Sequence, residues 1–294
     1  MCPRFEPGTD HCLEPRELSL AGFFYVHGSA FRMKSTSAST HFSPEAYHYG
    51  PARENPHRDD LKLTLFVACY NEEQNIEATL DTLLAALTQF PDLTWETLII
   101  DDASTDRSVE LIKRWIDAHP GLPVYLRINP ENKNLAYNYV EGAFWGRGEY
   151  YRLVCGDNVE PVETFVEMIK HLGAADIVIF YQDCTGRSAF RRFLSRSFTH
   201  VINLITGHRL QYYNGLAIHR RYNVIRWNGN YHGFGFQADV ISRLLDEGFG
   251  YTEVRVKANE RPQGESKALR FKNIISVVHT LIDLAIRRVG RWFR

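Results

Sequence analysis

Apolar and polar positions alternate along residues 61–182 in a pattern that predicts strands separated by helices. Short apolar runs rich in β-formers predict strands, such as LKLTLFVACY at 61–70 and WETLIIDDAS at 95–104. The segment between them repeats apolar residues at helical spacing, for example at Ile76, Leu80 and Leu83. Alternating strands and helices predict an α/β fold, in which a mostly parallel sheet carries helices on both faces.

Further helices and strands are expected from residue 104 to the end of the chain. Helices are expected within 104–121, where Ser104 or Thr105 is the predicted N-cap, and in the segments 134–148, 161–173, 188–207, 237–248 and 265–294. Strands are expected in the segments 123–129, 149–157, 175–182, 210–221 (a strand or a hairpin) and 250–262. Three parts are predicted: an extension at 1–60, largely without regular structure, an α/β domain at 61–264, and a basic amphipathic helix at 265–294. Met33 is a second candidate for the N-terminus, in which case residues 1–32 would come from a misplaced start codon.

Composition narrows the class of protein. The net charge of −1 over 294 residues gives no global basis for binding nucleic acid. The five cysteines form no CxxC pair and no regular framework, which favours reduced thiols in a cytoplasmic protein. We find no secretory signal peptide, and no run reaches the ~18 apolar residues needed to span a bilayer.

Polar residues follow three of the predicted strands at the point where each strand ends. They are Tyr70-Asn71-Glu72, Asp101-Asp102 and Asp157-Asn158. Ligands of open parallel sheets bind outside the carboxyl ends of the strands, so these groups predict one site. Neither GxGxxG nor GxxxxGK[ST] occurs, which argues against a dinucleotide fold and a P-loop.

Five segments, in order, resemble motifs of family 2 glycosyltransferases, which have the GT-A fold. The last two are similar to the dolichol-phosphate mannose synthase branch, and the resemblance covers about residues 61–270. The segments are ACYNEEQNI (68–76), LIIDDASTDRS (98–108), NKNLAYNYVEGA (132–143), GFQADVISRLLDEGFGYTEVRV (235–256) and NERPQGESK (259–267).

The resemblance implies inverting transfer of a sugar from a UDP- or GDP-linked donor to an acceptor. Asp102 would accept a hydrogen bond from the base or ribose, Asp101 would support it, and Glu72 would lie near the ribose. Glu72 can equally be a favourable charge in a first helical turn. The residues implied in donor binding are Tyr70, Asn71, Glu72, Asp101, Asp102, Asn132 and Asp157.

Asp157 is similar to the second acid of the family's Asp-x-Asp motif, which holds a divalent cation against the donor diphosphate. The resemblance therefore implies Mg²⁺ or Mn²⁺ at Asp157, and a catalytic role for this residue. Cys155 replaces the first acid, and Val159 stands where the family has a further metal contact. A thiol is a poor ligand for Mg²⁺. Either the diphosphate supplies most of the ligands, or cationic side chains take over part of the metal's work.

Further residues are implied on the acceptor side. Arg261, Ser266 and Lys267 belong to RPQGESK and would bind phosphate or acceptor, although this segment can also be a solvated basic loop. Asp239 occupies the place of a catalytic acid of the family, although it can be a first-turn helix acid instead. Asn134 stands where the family often has glycine, and Asn tolerates a left-handed conformation.

The C-terminal helix and the basic helix near Arg196 favour a peripheral position on the cytoplasmic face of an anionic membrane. A polyprenyl-phosphate or similar lipid is then the expected acceptor. The alternatives are packing of the C-terminal helix on its own domain or a second subunit, a hydroxyl of a glycan, lipid or protein as acceptor, and a non-catalytic module that binds a nucleotide-sugar.

Overall fold

The structure is a computed structural model, and it describes residues 48–51, 60–182, 189–213, 216–226, 235–257 and 271–292. Its strands are β1 (His48–Tyr49), β2 (Leu63–Cys69), β3 (Trp95–Asp101), β4 (Val124–Ile128), β5 (Tyr150–Cys155), β6 (Ile177–Gln182), β7 (Ile218–Arg220) and β8 (Tyr251–Val256). Its helices are α1 (Ile76–Leu87), α2 (Ser108–Ala118), α3 (Leu135–Trp145), α4 (Val162–Lys170), α5 (Ala189–Thr206), α6 (Arg221–Arg226), α7 (Phe236–Asp246) and α8 (Phe271–Trp292).

These strands form a single sheet in the order β1-β4-β3-β2-β5-β7-β6-β8. The neighbours among β4, β3, β2 and β5 are parallel, and so are β6 and β8. β1 is antiparallel to β4, and β7 is antiparallel to β5 and β6. The predicted α/β fold with a mostly parallel sheet is confirmed.

Alternate residues of the central strand β2 enter two cores on opposite faces of the sheet. Leu65 and Val67 pack in a core to which α1, α2 and α4 contribute. Phe66 packs in the other core, with residues of α3, α6 and α7 and with Leu284 of α8. Because both faces of β2 are covered, its sequence is a nearly continuous apolar run.

The C-terminal helix is observed as α8 and packs on the rest of the domain. Thr280 and Leu284 of α8 are buried, and α8 lies against α5 and α7. A Cβ atom at Gly235, just before α7, would collide with the Thr280 side chain, so glycine permits this close approach. No helix in the described ranges is both long and apolar enough to cross a bilayer.

Three details differ from the predicted elements. β1 lies within the extension 1–60 and forms the edge of the sheet beside β4, where Tyr49 lies opposite Leu126. The prediction of Ser104 or Thr105 as the N-cap of α2 is wrong, because the helix begins at Ser108. The short helix α6 was not predicted, because six residues hold too little periodicity to distinguish a helix from a turn.

Candidate active site

The strand order reverses beside β2, and the predicted polar groups meet at that edge of the sheet. From β2 the chain continues to β3 and β4 on one side, whereas β5 lies on the other side of β2. The turns that follow β2, β3 and β5 therefore neighbour one another at the carboxyl ends of the strands. Such a switch point is where open α/β sheets bind their ligands.

Backbone strain concentrates at the same edge. In the described ranges, the non-glycine residues with positive φ are Asn71 (φ 55°), Ala103 (62°), Asn134 (73°) and Asn158 (52°). Each lies in a connection that follows β2, β3, β4 or β5. Positive φ is unfavourable for residues with a Cβ atom, and such strain clusters at ligand sites.

The turns after β2 and β3 are locked together by hydrogen bonds. The Asn71 amide donates to Ser104 Oγ at 2.9 Å, and the Thr105 amide donates to Asn71 Oδ1 at 2.8 Å. The Glu72 amide donates to Ser108 Oγ at 2.9 Å. The two serines of STDRS thus stabilise the turn beside them, which explains why neither Ser104 nor Thr105 caps α2.

Asp101 is fully buried and fixes the start of the β3 turn. Its Oδ1 accepts the Ser104 amide at 2.9 Å, and its Oδ2 accepts the Ser104 hydroxyl at 2.5 Å. Burial raises the pKa of the Asp101 carboxyl above its usual value, although the hydrogen bonds from Ser104 act in the opposite direction. Asp101 contributes to the shape of the site and offers little surface to a ligand.

Asp102 is the centre of a hydrogen-bond network that holds the connection between β4 and α3. Its Oδ1 accepts the Lys133 amide at 2.8 Å and the Asn129 Nδ2 at 2.9 Å. Its Oδ2 accepts the Asn134 amide at 2.9 Å, and the side chain of Asn132 donates to the Asp102 carbonyl at 3.2 Å. With the residue only 5 % exposed, direct contact between Asp102 and a donor stays a prediction.

Asn134 adopts a more strained conformation than the left-handed one expected for it. Its φ of 73° is combined with a ψ of 161°, a region occupied almost only by glycine. The side chain compensates in part, because Asn134 Oδ1 accepts the Tyr137 amide at 3.2 Å and so caps α3. The departure from glycine at this position is therefore energetically significant.

Tyr70 and Glu72 line the site from the end of β2. Tyr70 is 39 % exposed although it directly follows a buried strand, and binding of the donor base by its ring stays a prediction. The Glu72 Cγ lies 3.6 Å from the position that a Cβ atom would take at Gly156. Glu72 also accepts a hydrogen bond from Asn75 at 3.0 Å, and it precedes α1 rather than belonging to its first turn.

Asp157 lies in the turn after β5, next to Cys155. Burial, above all, raises the pKa of the Cys155 thiol well above its usual value, and the charges of Asp157 and Glu160 act in the same direction. A thiol that stays protonated at neutral pH does not replace a carboxylate as a ligand for Mg²⁺. In the described parts of the chain, no three His, Cys, Asp or Glu side chains converge as a metal site.

Asp239 is held by two arginines. Arg243 Nε, one turn further along α7, donates to Asp239 Oδ2 at 2.9 Å, and Arg287 Nη2 of α8 donates to Oδ1 at 2.6 Å. This trio, the Asp239 cluster, carries one net positive charge and ties α7 to α8. The spacing of Asp239 and Arg243 was visible in the sequence as an i,i+4 pair, whereas Arg287 lies 48 residues away and gave no local signal.

The predicted acceptor-side residues Arg261, Ser266 and Lys267 lie outside the described residues. Sequence reasoning missed a buried ion pair that joins β5 to the turn after it. In it, Arg152 of β5 meets Glu160, and both Arg152 Nη atoms donate to the two carboxylate oxygens. An arginine in the middle of an apolar strand, with an acid eight residues later, was the available signal.

Comparison with known proteins supports the same fold and chemistry. A dolichyl-phosphate beta-glucosyltransferase of Trichomonas vaginalis is 24 % identical, over 79 % of this chain and 74 % of that protein. The dolichol-phosphate mannosyltransferase of Saccharomyces cerevisiae is 23 % identical, over 78 % of this chain and 89 % of that protein.

The solved structures that resemble this chain include a mannosyltransferase from Pyrobaculum calidifontis in complex with GDP-mannose and Mn²⁺. Its TM-score is 0.59 at 20 % identity, covering 77 % of this chain and 64 % of that one. Glucosyl-3-phosphoglycerate synthase from Mycobacterium tuberculosis matches with a TM-score of 0.60 at 15 % identity, covering 77 % and 81 %.

The profile described as glycosyl transferase family 2 matches residues 64–243, more than half of the chain. The match begins in β2 and ends in α7, so it includes every turn of the site described above. The chain is therefore a glycosyltransferase with the GT-A fold, and it belongs to glycosyl transferase family 2.

Proposed function

We propose that this enzyme transfers a sugar, with inversion, from a nucleoside-diphosphate sugar to a polyprenyl phosphate or similar lipid phosphate at a membrane surface. The observation that carries the proposal is the acceptor class shared by the relatives. The Trichomonas vaginalis and Saccharomyces cerevisiae relatives are both named for a polyprenyl phosphate. So is a dodecaprenyl-phosphate galacturonate synthase that is 26 % identical over 79 % of this chain.

The donor is proposed to bind at the switch point between β2 and β5. Tyr70 offers a partly exposed ring to the base, and Asn71 and Glu72 flank it. Asp101, Asp102 and Asn132 are proposed to act mainly by holding these turns, since their side chains already bond within the protein. UDP- and GDP-linked sugars both fit this reasoning.

Asp157 is the proposed contact for Mg²⁺ or Mn²⁺. The residues around it fit a cation only together with the donor, because Cys155 and Val159 supply no oxygen side chain and Mg²⁺ prefers six oxygen ligands. The diphosphate and water would supply the other ligands. Bound there, the cation would withdraw charge from the leaving diphosphate. By binding this cation, Asp157 would orient the diphosphate of the donor.

The acceptor side is proposed to lie near the Asp239 cluster. Two guanidinium groups already occupy the Asp239 carboxylate, so an ionic role fits this residue better than proton transfer. A lipid phosphate is already an anion and does not need a general base in the way that a hydroxyl does. The net positive charge of the cluster suits such an acceptor. Arg261, Ser266 and Lys267 remain proposed phosphate contacts.

A membrane-facing surface is proposed on α5 and α8, which pack on each other. Both helices expose an apolar stripe at helical spacing, and each stripe falls on one side of its helix. The stripes consist of Phe193, Leu194, Val201 and Leu204 on α5, and of Val278, Ile282, Ile286 and Val289 on α8.

The charge of these helices favours an anionic bilayer as the occupant of that surface. α5 contains three arginines and no acidic residue, and α8 contains Lys272, Arg288 and Arg291 against Asp283, besides Arg287, which is paired with Asp239. Each basic residue near an anionic surface is worth about 1 kcal/mol. A helix with an apolar stripe and basic flanks binds in the plane of the membrane.

The test is a transfer assay with matched acceptors. Full-length protein is incubated with radiolabelled UDP- and GDP-hexoses, Mn²⁺, and liposomes that contain either polyprenyl phosphate or the free polyprenol. We expect label in the lipid extract only with the phosphate, and strongly reduced transfer by Asp157→Ala. Label on the polyprenol would instead favour a hydroxyl acceptor. Nucleotide binding without transfer from any donor would indicate a non-catalytic binding module, the alternative that is favoured by a thiol in place of the first acid of the metal motif.

A further inference from the structure

A buried ion pair joins strand β5 to the turn that carries Asp157. Arg152 is 0 % exposed, and its Nη1 donates to Glu160 Oε2 at 3.2 Å while its Nη2 donates to Oε1. The guanidinium carbon lies 5.3 Å from the ring centre of Phe165 and 5.7 Å from that of Phe180. Burying two charges is costly, and such a pair adds little to stability compared with apolar residues of similar size. Its presence therefore calls for another reason.

The turn is attached to three different elements. The Gly156 amide donates to the Ala68 carbonyl of β2 at 3.0 Å. Asn158 Oδ1 accepts the Thr82 hydroxyl of α1 at 3.2 Å.

Glu160, at the far end of the turn, is attached to Arg152 of β5 by the buried pair. Asp157 lies between the first two attachments, and Glu160 closes the turn. Pro161, the residue after Glu160, is the N-cap of α4, whose side chains Phe165 and Met168 are buried, so α4 also holds this end of the turn. The buried pair adds a direct tie between β5 and the backbone segment that carries Asp157.

We propose that Arg152 and Glu160 are positioning residues that hold Asp157 in place for the cation and diphosphate of the donor. This inference rests on the proposed function, in which Asp157 faces that cation. A site with two carboxylates retains a ligand when one of them shifts, whereas a site with Asp157 alone does not. A fixed carboxylate loses less conformational freedom when it binds. Groups hydrogen-bonded to a metal ligand change metal affinity about 10–100-fold when replaced, and Arg152 and Glu160 act through the backbone of the turn instead, so we expect an effect at the lower end of that range.

The test replaces the ion pair without leaving a lone buried charge. The double variant Arg152→Met/Glu160→Met keeps similar volume and is expected to fold, because apolar replacement of a buried pair is often neutral or stabilising. The matched control is Arg147→Met/Glu96→Gln, which also removes both charges of a pair and keeps an oxygen for the Thr64 hydroxyl and the Arg147 amide. Arg147 pairs with buried Glu96 at 3.5 Å just before β5 begins, at the opposite edge of the sheet.

UDP and GDP are titrated into each protein by calorimetry, once in EDTA and once with saturating Mn²⁺. In Mn²⁺ we expect the double variant to bind the nucleotide about tenfold or more weakly than the wild type, while its affinity in EDTA changes less than about threefold. The Arg147→Met/Glu96→Gln control should match the wild type in both conditions. In an Asp157→Asn background the double replacement should have no further effect, because it acts through Asp157.

The outcomes separate this inference from the proposed function. If Asp157→Asn leaves nucleotide affinity in Mn²⁺ unchanged, Asp157 does not face the donor, and both fail. If Asp157→Asn weakens binding but a double variant with wild-type melting temperature binds normally, the positioning role alone is wrong. Should the double variant fail to fold, Arg152→Lys takes its place. It keeps the charge but loses the two-pronged contact, so binding as tight as that of the wild type would overturn the inference equally.

Discussion

Asp102→Asn tests whether the carboxylate at the end of β3 is chiefly a structural anchor. The carboxylate accepts the Lys133 amide and Asn129 Nδ2 on one oxygen and the Asn134 amide on the other, at 2.8–2.9 Å. An asparagine of the same shape has one oxygen and one NH₂ group. Whichever way it turns, its NH₂ group faces at least one N–H donor.

The expected loss of stability follows from these contacts. A hydrogen bond to a charged group contributes about 1.5–3 kcal/mol, and a buried donor left without an acceptor adds a desolvation cost. Asp102 is 5 % exposed, so water cannot replace the lost acceptor easily. We therefore expect Asp102→Asn to lower the free energy of unfolding by about 2–4 kcal/mol, mainly at one backbone amide. At about 2–4 °C per kcal/mol, the melting temperature should fall by roughly 4–16 °C.

Urea unfolding and thermal melting of the full chain measure this loss. The matched control is Asp81→Asn, because exposed Asp81 accepts a single hydrogen bond, from Trp115 Nε1 at 2.7 Å. An asparagine oxygen can accept that bond equally well, so the control should stay within about 0.5 kcal/mol of the wild type. An equally small effect of Asp102→Asn would refute the structural role.

The same variant also tests whether Asp102 contacts the donor. If Asp102 acts only by holding residues 132–134, nucleotide affinity should fall in proportion to the loosening of that turn and recover at lower temperature. If it also accepts a hydrogen bond from the nucleotide, affinity should stay low even where the variant is fully folded. Titration of UDP and GDP at two temperatures below the melting transition distinguishes the two cases.

Three further predictions concern pH, backbone strain and the membrane. Burial lowers the pKa of His219 to about 4 from a usual value of 6.5, so as the pH falls the unfolded chain binds a proton before the folded one does. The free energy of unfolding should therefore be about 2 kcal/mol lower at pH 5 than at pH 7, and His219→Gln should reduce this difference in urea unfolding. Asn134→Gly should relieve strain at φ 73° and raise stability by about 1 kcal/mol, whereas Asn134→Ala should lower it, both measured by thermal melting. Ile282→Asp/Ile286→Asp should abolish flotation of the protein with anionic liposomes without lowering UDP or GDP affinity, and persistent flotation would contradict the membrane surface proposed on α8.

The sequence predicted the sheet and the location of the site because both depend on local patterns. Apolar runs mark buried strands, and the carboxyl ends of parallel strands must meet at one edge. Tyr70, Asp102 and Asp157 therefore follow neighbouring strand ends at one edge of the sheet, as the register of β2, β3 and β5 shows, while their roles stay predictions.

What the sequence did not reveal is which groups are already satisfied within the protein. A strand-end acid looks the same in sequence whether it binds a ligand or a neighbouring turn. Asp101 and Asp102 are used by Ser104 and by the backbone of 133–134, and these partners follow from the three-dimensional path of the turns. The contact of Arg287 with Asp239 was likewise beyond local patterns, since it requires α8 to pack on α7.

The rigidity of the turn after β5 helps to explain how Asp157, without a second carboxylate, could hold the proposed cation. Cys155 stands where the family motif has a carboxylate, so the proposed cation has one attractive contact fewer, and the protonated thiol does not replace it. The remaining carboxylate then contributes most if little motion has to be frozen on binding. Ala68, Thr82 and Arg152 hold the turn from three sides, so much of that ordering is already present in the folded chain. On this reasoning, metal response in this enzyme should depend on the attachments of the turn nearly as strongly as on Asp157 itself.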